Sequence, residues 1–181
     1  MKTESTVKFV LRLALTLLAI TAVVAVALAG VNMVTAPAIA ALNAQKTQEA
    51  IEMVLPGGGD AVEFPETPLV SKVYASETGY AVEVTPGGFD NTITMMVGVD
   101  KAGTVLGISI ISHTETAGLG AVAAAGTPAG EAFRNEFVGA TGSVDVTKDG
   151  GEIDAITGAT ITSRAVCAGV NAALEVVGKM G

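Results

Sequence analysis

Asp154-Ala155-Ile156-Thr157-Gly158-Ala159-Thr160-Ile161-Thr162-Ser163-Arg164 is a hydroxyl-rich turn of small residues that runs directly into the last helix of the chain. From Ser163 onward Val166, Val170, Leu174 and Val177 recur at helical spacing, so the turn delivers Thr160, Thr162 and Ser163 to a helix N-terminus. The free N–H groups of a first turn and the positive end of the macrodipole favour an anion there, by about 0.3 to 1 kcal/mol per charge at an exposed site. Gly158 and Ala159 keep the neighbouring side chains small, which lets a bulky phosphorylated ligand approach the backbone.

The segments upstream supply a scaffold for this turn. Leu69 to Ala75 and Tyr80 to Thr85 read as short strands separated by Glu77-Thr78-Gly79. After the break at Pro86-Gly87-Gly88, Ile93, Met95, Val97 and Val99 alternate with Thr94, Met96 and Gly98. Beyond the turn Asp100-Lys101-Ala102-Gly103, Leu106, Ile108 and Ile110 recur in the same alternation. This pattern predicts an antiparallel hairpin with one buried face. Glu131 to Phe137 reads as a short amphipathic helix anchored by Phe133 and Phe137, and Ile153 to Ile156 as a short strand feeding the final turn. Strands followed by helices without regular alternation predict an α+β domain.

The second hairpin strand runs into Ser112-His113-Thr114-Glu115-Thr116-Ala117-Gly118-Leu119-Gly120, a polar, glycine-punctuated loop. Such a loop at a strand end is either a ligand-contacting segment or an ordinary connection, and composition leaves both open. His113, the one histidine, reads as a satisfied loop residue ahead of a ligand contact.

Farther upstream, Leu13 to Val34 carries no charge in 22 positions, a helix of about 33 Å that spans a bilayer core. It exceeds the roughly 7 to 15 apolar residues of a signal-peptide core and is read as an uncleaved anchor. Lys2, Lys8 and Arg12 precede it, with Glu4 the only acid there, and the first basic residue after it is Lys46. The positive-inside rule then puts residues 1–12 in the cytoplasm, 13–34 in the membrane, and the remainder outside. Within that remainder, 35–68 form a stalk helix and linker, and 69–181 the globular domain.

Of 181 residues half are hydrophobic, and the formal net charge is -8. An acidic chain without a basic, aromatic-interleaved stripe predicts no nucleic-acid partner. Cys167 is the single cysteine, which excludes an intrachain disulfide and reads as a small buried helix residue. One histidine and one cysteine predict no transition-metal site.

The N-terminal anchor, Gly79-Tyr80, the loop Glu115-Thr116-Ala117-Gly118-Leu119-Gly120 and Thr157-Gly158-Ala159-Thr160-Ile161-Thr162-Ser163 together resemble the FMN-binding domain of the Rnf complex's G-type component. The C-type component of the sodium-translocating NADH:quinone reductase is a relative of that family. The resemblance covers the chain from the anchor to the C-terminus. It implies an electron-transfer subunit of a membrane complex that couples electron flow between ferredoxin and NAD to ion translocation, without a catalytic site of its own.

The resemblance further implies covalent FMN, its phosphate esterified to the Thr160 hydroxyl by an ApbE-type flavin transferase. Thr157, Gly158, Ala159, Thr162 and Ser163 would surround the attachment point, and Glu115, Thr116, Leu119 and Gly120 would lie against the flavin. Asp154 is assigned to recognition by the transferase. Arg164 is either a counter-charge or an ordinary exposed helix arginine. Two positions depart from the family pattern: Ala117 stands where the loop usually carries Pro, and Thr157 where Ser is common. On the residues alone two other functions stay open, a stand-alone membrane-tethered flavoprotein and a non-redox anchored module whose Thr-rich turn is only a helix cap.

Overall fold

The structure is a computed structural model that describes residues 6–180. Lys2 and Glu4, which contribute to the charge asymmetry before the apolar run, lie outside the described residues. By compactness the chain forms two units, Met1–Ala44 and Gln45–Gly181.

The first unit is helical throughout its described residues and forms most of α1, Thr6–Val54. From Phe9 to Leu42 the large apolar side chains are exposed, and the helix is long and apolar enough to cross a membrane. The sequence pattern separates an anchor helix from a stalk helix near Pro37, but a single helix runs through that residue. Proline removes one backbone donor and disfavours the helical conformation in the residue before it, yet its neighbours here are the strong helix formers Ala36, Ala38 and Ala40.

The second unit is built on an antiparallel meander in which each strand pairs with its sequence neighbour: β1 Asp60–Val62, β2 Val70–Ala75, β3 Gly79–Val84, β4 Thr94–Asp100 and β5 Val105–Ser112. In the β3–β4 register, Val82 faces Val97 and Val84 faces Met95. The turn into β5 is set by Asp100, whose Oδ1 accepts from Ala102 N at 2.9 Å and Thr104 N at 2.8 Å. On one face Val82, Val84, Met95, Val97 and Val99 pack against Val166, Val170, Ala173 and Val177 of α3, Thr160–Met180. Each of these valine and methionine side chains contributes about 1.5 to 3 kcal/mol of hydrophobic stabilisation. Gly169 permits the contact, since a Cβ there would lie 3.1 Å from Met95 Sδ and Val84 Cγ2.

The alternation of the hairpin predicts one buried face, and the structure buries two. Ala50, Ile51, Val54 and Leu55, at the end of α1 and just beyond, cover Ala81 and Met96 on the opposite side of the sheet. The alternation of β4 hides this, because Met96 and Gly98 occupy positions that a half-exposed strand also tolerates.

α2 spans Pro128–Asn135, three residues earlier than the apolar pattern indicates, because Thr127 caps it and Pro128 opens it. Phe137 falls past its end yet is fully buried, edge-on to Phe133 with ring centroids 5.3 Å apart. The strand expected over Ile153 to Ile156 reduces to one parallel bridge between Val146 and Ile153. Side chains take two further donors: Asp154 N binds Glu136 Oε2 at 2.6 Å, and Ile156 N binds Ser163 Oγ at 3.0 Å.

Candidate functional site

The start of α3 and three loops meet around an open cleft of about 300 Å3. Gly158 to Thr162 form one wall and Glu115, Thr116, Leu119 and Gly120 the next. Phe89, from the connection between β3 and β4, and Lys148, from the 3-10 turn Thr147–Asp149, complete it.

Local geometry explains why the turn before α3 faces this way. Ala159 N closes a turn on Ile156 O at 2.9 Å, and Gly158 takes a φ of +77°, which reverses the chain into the helix. Ser163, wholly buried, accepts from Ile156 N at 3.0 Å and donates to Ala159 O at 3.1 Å. It fastens the turn to the helix and does not line the cleft. Thr160 is half-buried in the first helical turn, and its hydroxyl accepts from Lys148 Nζ at 3.0 Å.

Glu115 joins the loops. Its carboxylate, only 7 % exposed, takes Phe89 N at 2.8 Å and Asp90 N at 3.4 Å on Oε1 and the Thr162 hydroxyl on Oε2. Charge-assisted bonds of this kind offset the burial of the anion. Gly88 and Gly120 make room for it, because a Cβ on either would collide with the carboxylate oxygens. The negative charge is thereby engaged inside the cleft wall. Thr116 shapes the same loop, its carbonyl accepting from Leu119 N at 3.1 Å and Ala121 N at 3.2 Å.

Arg164, one helical turn beyond Thr160, does not reach into the cleft. Its guanidinium forks onto Asp149, with Nε to Oδ2 at 2.6 Å and Nη2 to Oδ1 at 2.8 Å. The hydrogen bond from Arg164 holds the Asp149 carboxyl below its ordinary range, and the same bond holds Arg164 above its own. Next to this clasp Lys148 is the sole basic residue lining the cleft among the described residues.

The structure thus brings Glu115, Thr116, Leu119, Gly120, Gly158, Ala159, Thr160 and Thr162 to one cleft. Thr157 and Asp154 are exposed and outside its lining. His113 is half-buried and also outside it; its Nδ1 has no hydrogen-bond partner among the described residues. The pattern of residues does not single out Phe89, Lys148 or Ile161. Phe89 is 66 % exposed immediately after a Pro-Gly-Gly break, a weak signal. Lys148 sits in Lys-Asp-Gly-Gly, which reads as turn chemistry alone. A hydroxyl at a helix start, an adjacent ammonium and the exposed apolar side chains of Phe89, Leu119 and Ile161 suit a planar ligand that carries a phosphate.

Comparison with known proteins agrees with that chemistry. The family model of the FMN-binding domain matches residues 88–175, which contain every residue lining the cleft. The chain is 36% identical to the G-type component of the Na(+)-translocating ferredoxin:NAD(+) oxidoreductase complex of Acetobacterium woodii, over 93% of this chain and 92% of that protein. It is 30% identical to the G-type component of the ion-translocating oxidoreductase complex of Methanosarcina acetivorans, over 94% and 95% of the two. The G-type component of the proton-translocating ferredoxin:NAD(+) oxidoreductase complex of Clostridium ljungdahlii is 33% identical over 83% of this chain and 82% of its own.

Proposed function

The chain belongs to the G-type component family of ion-translocating oxidoreductase (Rnf) complexes, and on that premise we propose that it carries FMN joined through its phosphate to the Thr160 hydroxyl, on the outer face of a membrane. As a member of that family it is an electron-transfer subunit of a membrane complex of the ferredoxin:NAD oxidoreductase type, with an FMN-binding domain.

One observation carries the attachment reading. Thr160 borders the cleft on the first turn of α3, its hydroxyl 3.0 Å from the one ammonium that lines the cleft among the described residues. FMN supplies the redox chemistry when bound; the protein holds it and tunes its surroundings. The free first-turn N–H groups and Lys148 suit the phosphate, and Phe89, Leu119 and Ile161 offer apolar surface of the kind a flavin ring covers. Glu115 keeps the two loops together through Phe89 N and Thr162. A phosphoester also suits an outward location, where a dissociated flavin could not be replaced from the cytoplasm. Lys8 and Arg12 ahead of the apolar run support that orientation. An ApbE-type flavin transferase would make the bond, and Asp154, exposed beside the turn, is reachable by such an enzyme.

Intact mass of the chain from its native source should exceed the sequence mass by one FMN less the water lost on esterification. Trypsin leaves Thr157 and Thr160 on the same peptide, between Lys148 and Arg164, so fragmentation must separate them. The adduct is expected on Thr160, with Thr157→Ala retaining it. A Thr160→Ala chain that still carried covalent flavin would overturn the assignment.

A further inference from the structure

Resting on attachment at Thr160, we propose that Lys148 is the counter-ion of the flavin phosphate, aimed by the Arg164–Asp149 pair, and that it governs how fast Thr160 is modified.

The charge inventory requires such a group. The chain has a formal net charge of -8, and a phosphodiester on Thr160 adds another negative charge to a cleft that already holds Glu115. Arg164 lies nearer in sequence, but Asp149 occupies it in a two-pronged ion pair. Lys148 is the basic side chain that remains at the cleft.

Its placement is built into the turn. Asp149 N binds Val146 O at 2.8 Å and Gly150 N binds Thr147 O at 3.2 Å, with Gly150 at a φ of +92°. Thr147 N to Ile153 O at 2.8 Å and Ile153 N to Asp145 O at 3.1 Å close the base of the loop. Gly151 lies so near the Asp145 backbone that a Cβ would collide with it. The Arg164 fork then ties the turn to the first two turns of α3, one residue from Lys148. The backbone that carries Lys148 is thereby held beside the start of α3, and its exposed side chain reaches Thr160 from there.

The chemistry indicates what the ammonium does. Modification forms a bond between Thr160 Oγ1 and the phosphorus of an activated flavin phosphate brought by the transferase. The phosphorus–oxygen bond to the donor's leaving group breaks, and that group departs with the electron pair. The hydroxyl proton passes to a base of the transferase, and no oxidation state changes. An ammonium donating to Thr160 Oγ1 is not that base. It stabilises negative charge on the phosphoryl oxygens during transfer and in the product.

The test uses the full chain in membranes, with a flavin transferase co-expressed, and follows adduct formation by intact mass. Lys148→Met is expected to slow the initial rate by roughly tenfold or more, Lys148→Glu further, and Lys148→Arg to recover most of it. Raising ionic strength should slow the native chain more than Lys148→Met. A side chain needed only to pack the turn would not rank Arg, Met and Glu in this order. A native rate in Lys148→Met, with unchanged salt dependence, overturns the role of Lys148. Thr160→Ala in parallel separates the two readings: an adduct that survives it, or an unmodified native chain, removes the attachment reading and this inference with it. If Thr160→Ala loses the adduct while Lys148→Met keeps the native rate, only the counter-ion role fails.

Discussion

The Thr162 hydroxyl donates to the Glu115 carboxylate across 47 positions of sequence, so the helix start and the loop after β5 share one buried anion. Because Phe89 N donates to the same carboxylate, a third loop is held by it as well.

Removing members of this set should destabilise the domain in a fixed order. Thr162→Val leaves the carboxylate one donor short and should cost about 1 to 3 kcal/mol, whereas Glu115→Ala strands three donors and should cost at least as much. Thr162→Ser should stay near the native value. Urea midpoints at unchanged slope measure this, and two near-native variants would show that the set holds nothing.

Gly158→Ala tests the turn separately from the helix. The left-handed φ of +77° penalises any side chain by about 1 to 2 kcal/mol. The new Cβ would also stand 3.0 Å from Leu119 Cδ2 in the cleft wall. Gly57→Ala, at a φ of +98° with nothing within 4 Å, carries the same kind of backbone penalty away from the cleft. Only the first should lower the ratio of flavin to protein.

Acid stability should depend on Asp100 and Asp149. Backbone hydrogen bonding from Thr104 lowers the pKa of Asp100, and Arg164 lowers that of Asp149, both from an ordinary 3.8. A depressed folded value means that the contribution is complete above the ordinary one and disappears as pH falls through the folded one. Asp100→Asn and Asp149→Asn should therefore flatten the acid limb of a stability profile below about pH 4. At pH 7 the exposed Asp149 pair should matter little.

Burial pushes the Cys167 thiol up to about 12 from its ordinary 9.0. The folded state thus favours the neutral thiol. That contribution is complete below pH 9.0 and is lost as pH rises toward 12. At pH 8 iodoacetamide should label the native chain only as fast as it opens, and addition of urea should release the block. Rapid labelling of the folded protein would contradict the burial.

Gly98→Ala should disrupt the second face of the sheet. Its Cβ would press on the Val54 carbonyl, whose carbon is 2.9 Å away, and overpacking of this kind costs roughly 1 to 3 kcal/mol. Thermal melting is expected to show the loss in a protein whose flavin content is unchanged.

Local periodicity made the strands and the last helix legible. The spacing of Val82, Val84, Met95 and Val97 is a direct record of the face under α3, and Val166, Val170 and Val177 record the other half. What escaped depends on contacts between distant segments. Ile51, Val54 and Leu55 look like the end of a stalk until the sheet that they cover is in view. Ile153 to Ile156 reads as a strand by its apolar pattern but does not form one, because Glu136 and Ser163 claim two of its backbone donors, which periodicity cannot register. In the cleft, Thr160, Thr162, Gly120 and Gly158 were readable from the local turn pattern, whereas Thr157 and Ser163, which share that pattern, fall outside the lining. Lys148 was not readable, since it reaches Thr160 from a separate turn 12 positions away, which no spacing marks.

The coverage of Ala81 and Met96 by the end of α1 dictates where the second unit can be cut free. A truncated version starting at Pro56 would discard Ile51, Val54 and Leu55, each worth about 1.5 to 3 kcal/mol of burial, and leave the bared sheet face prone to self-association. Starting at Gln45 removes the exposed apolar run up to Leu42 and keeps the cover in place.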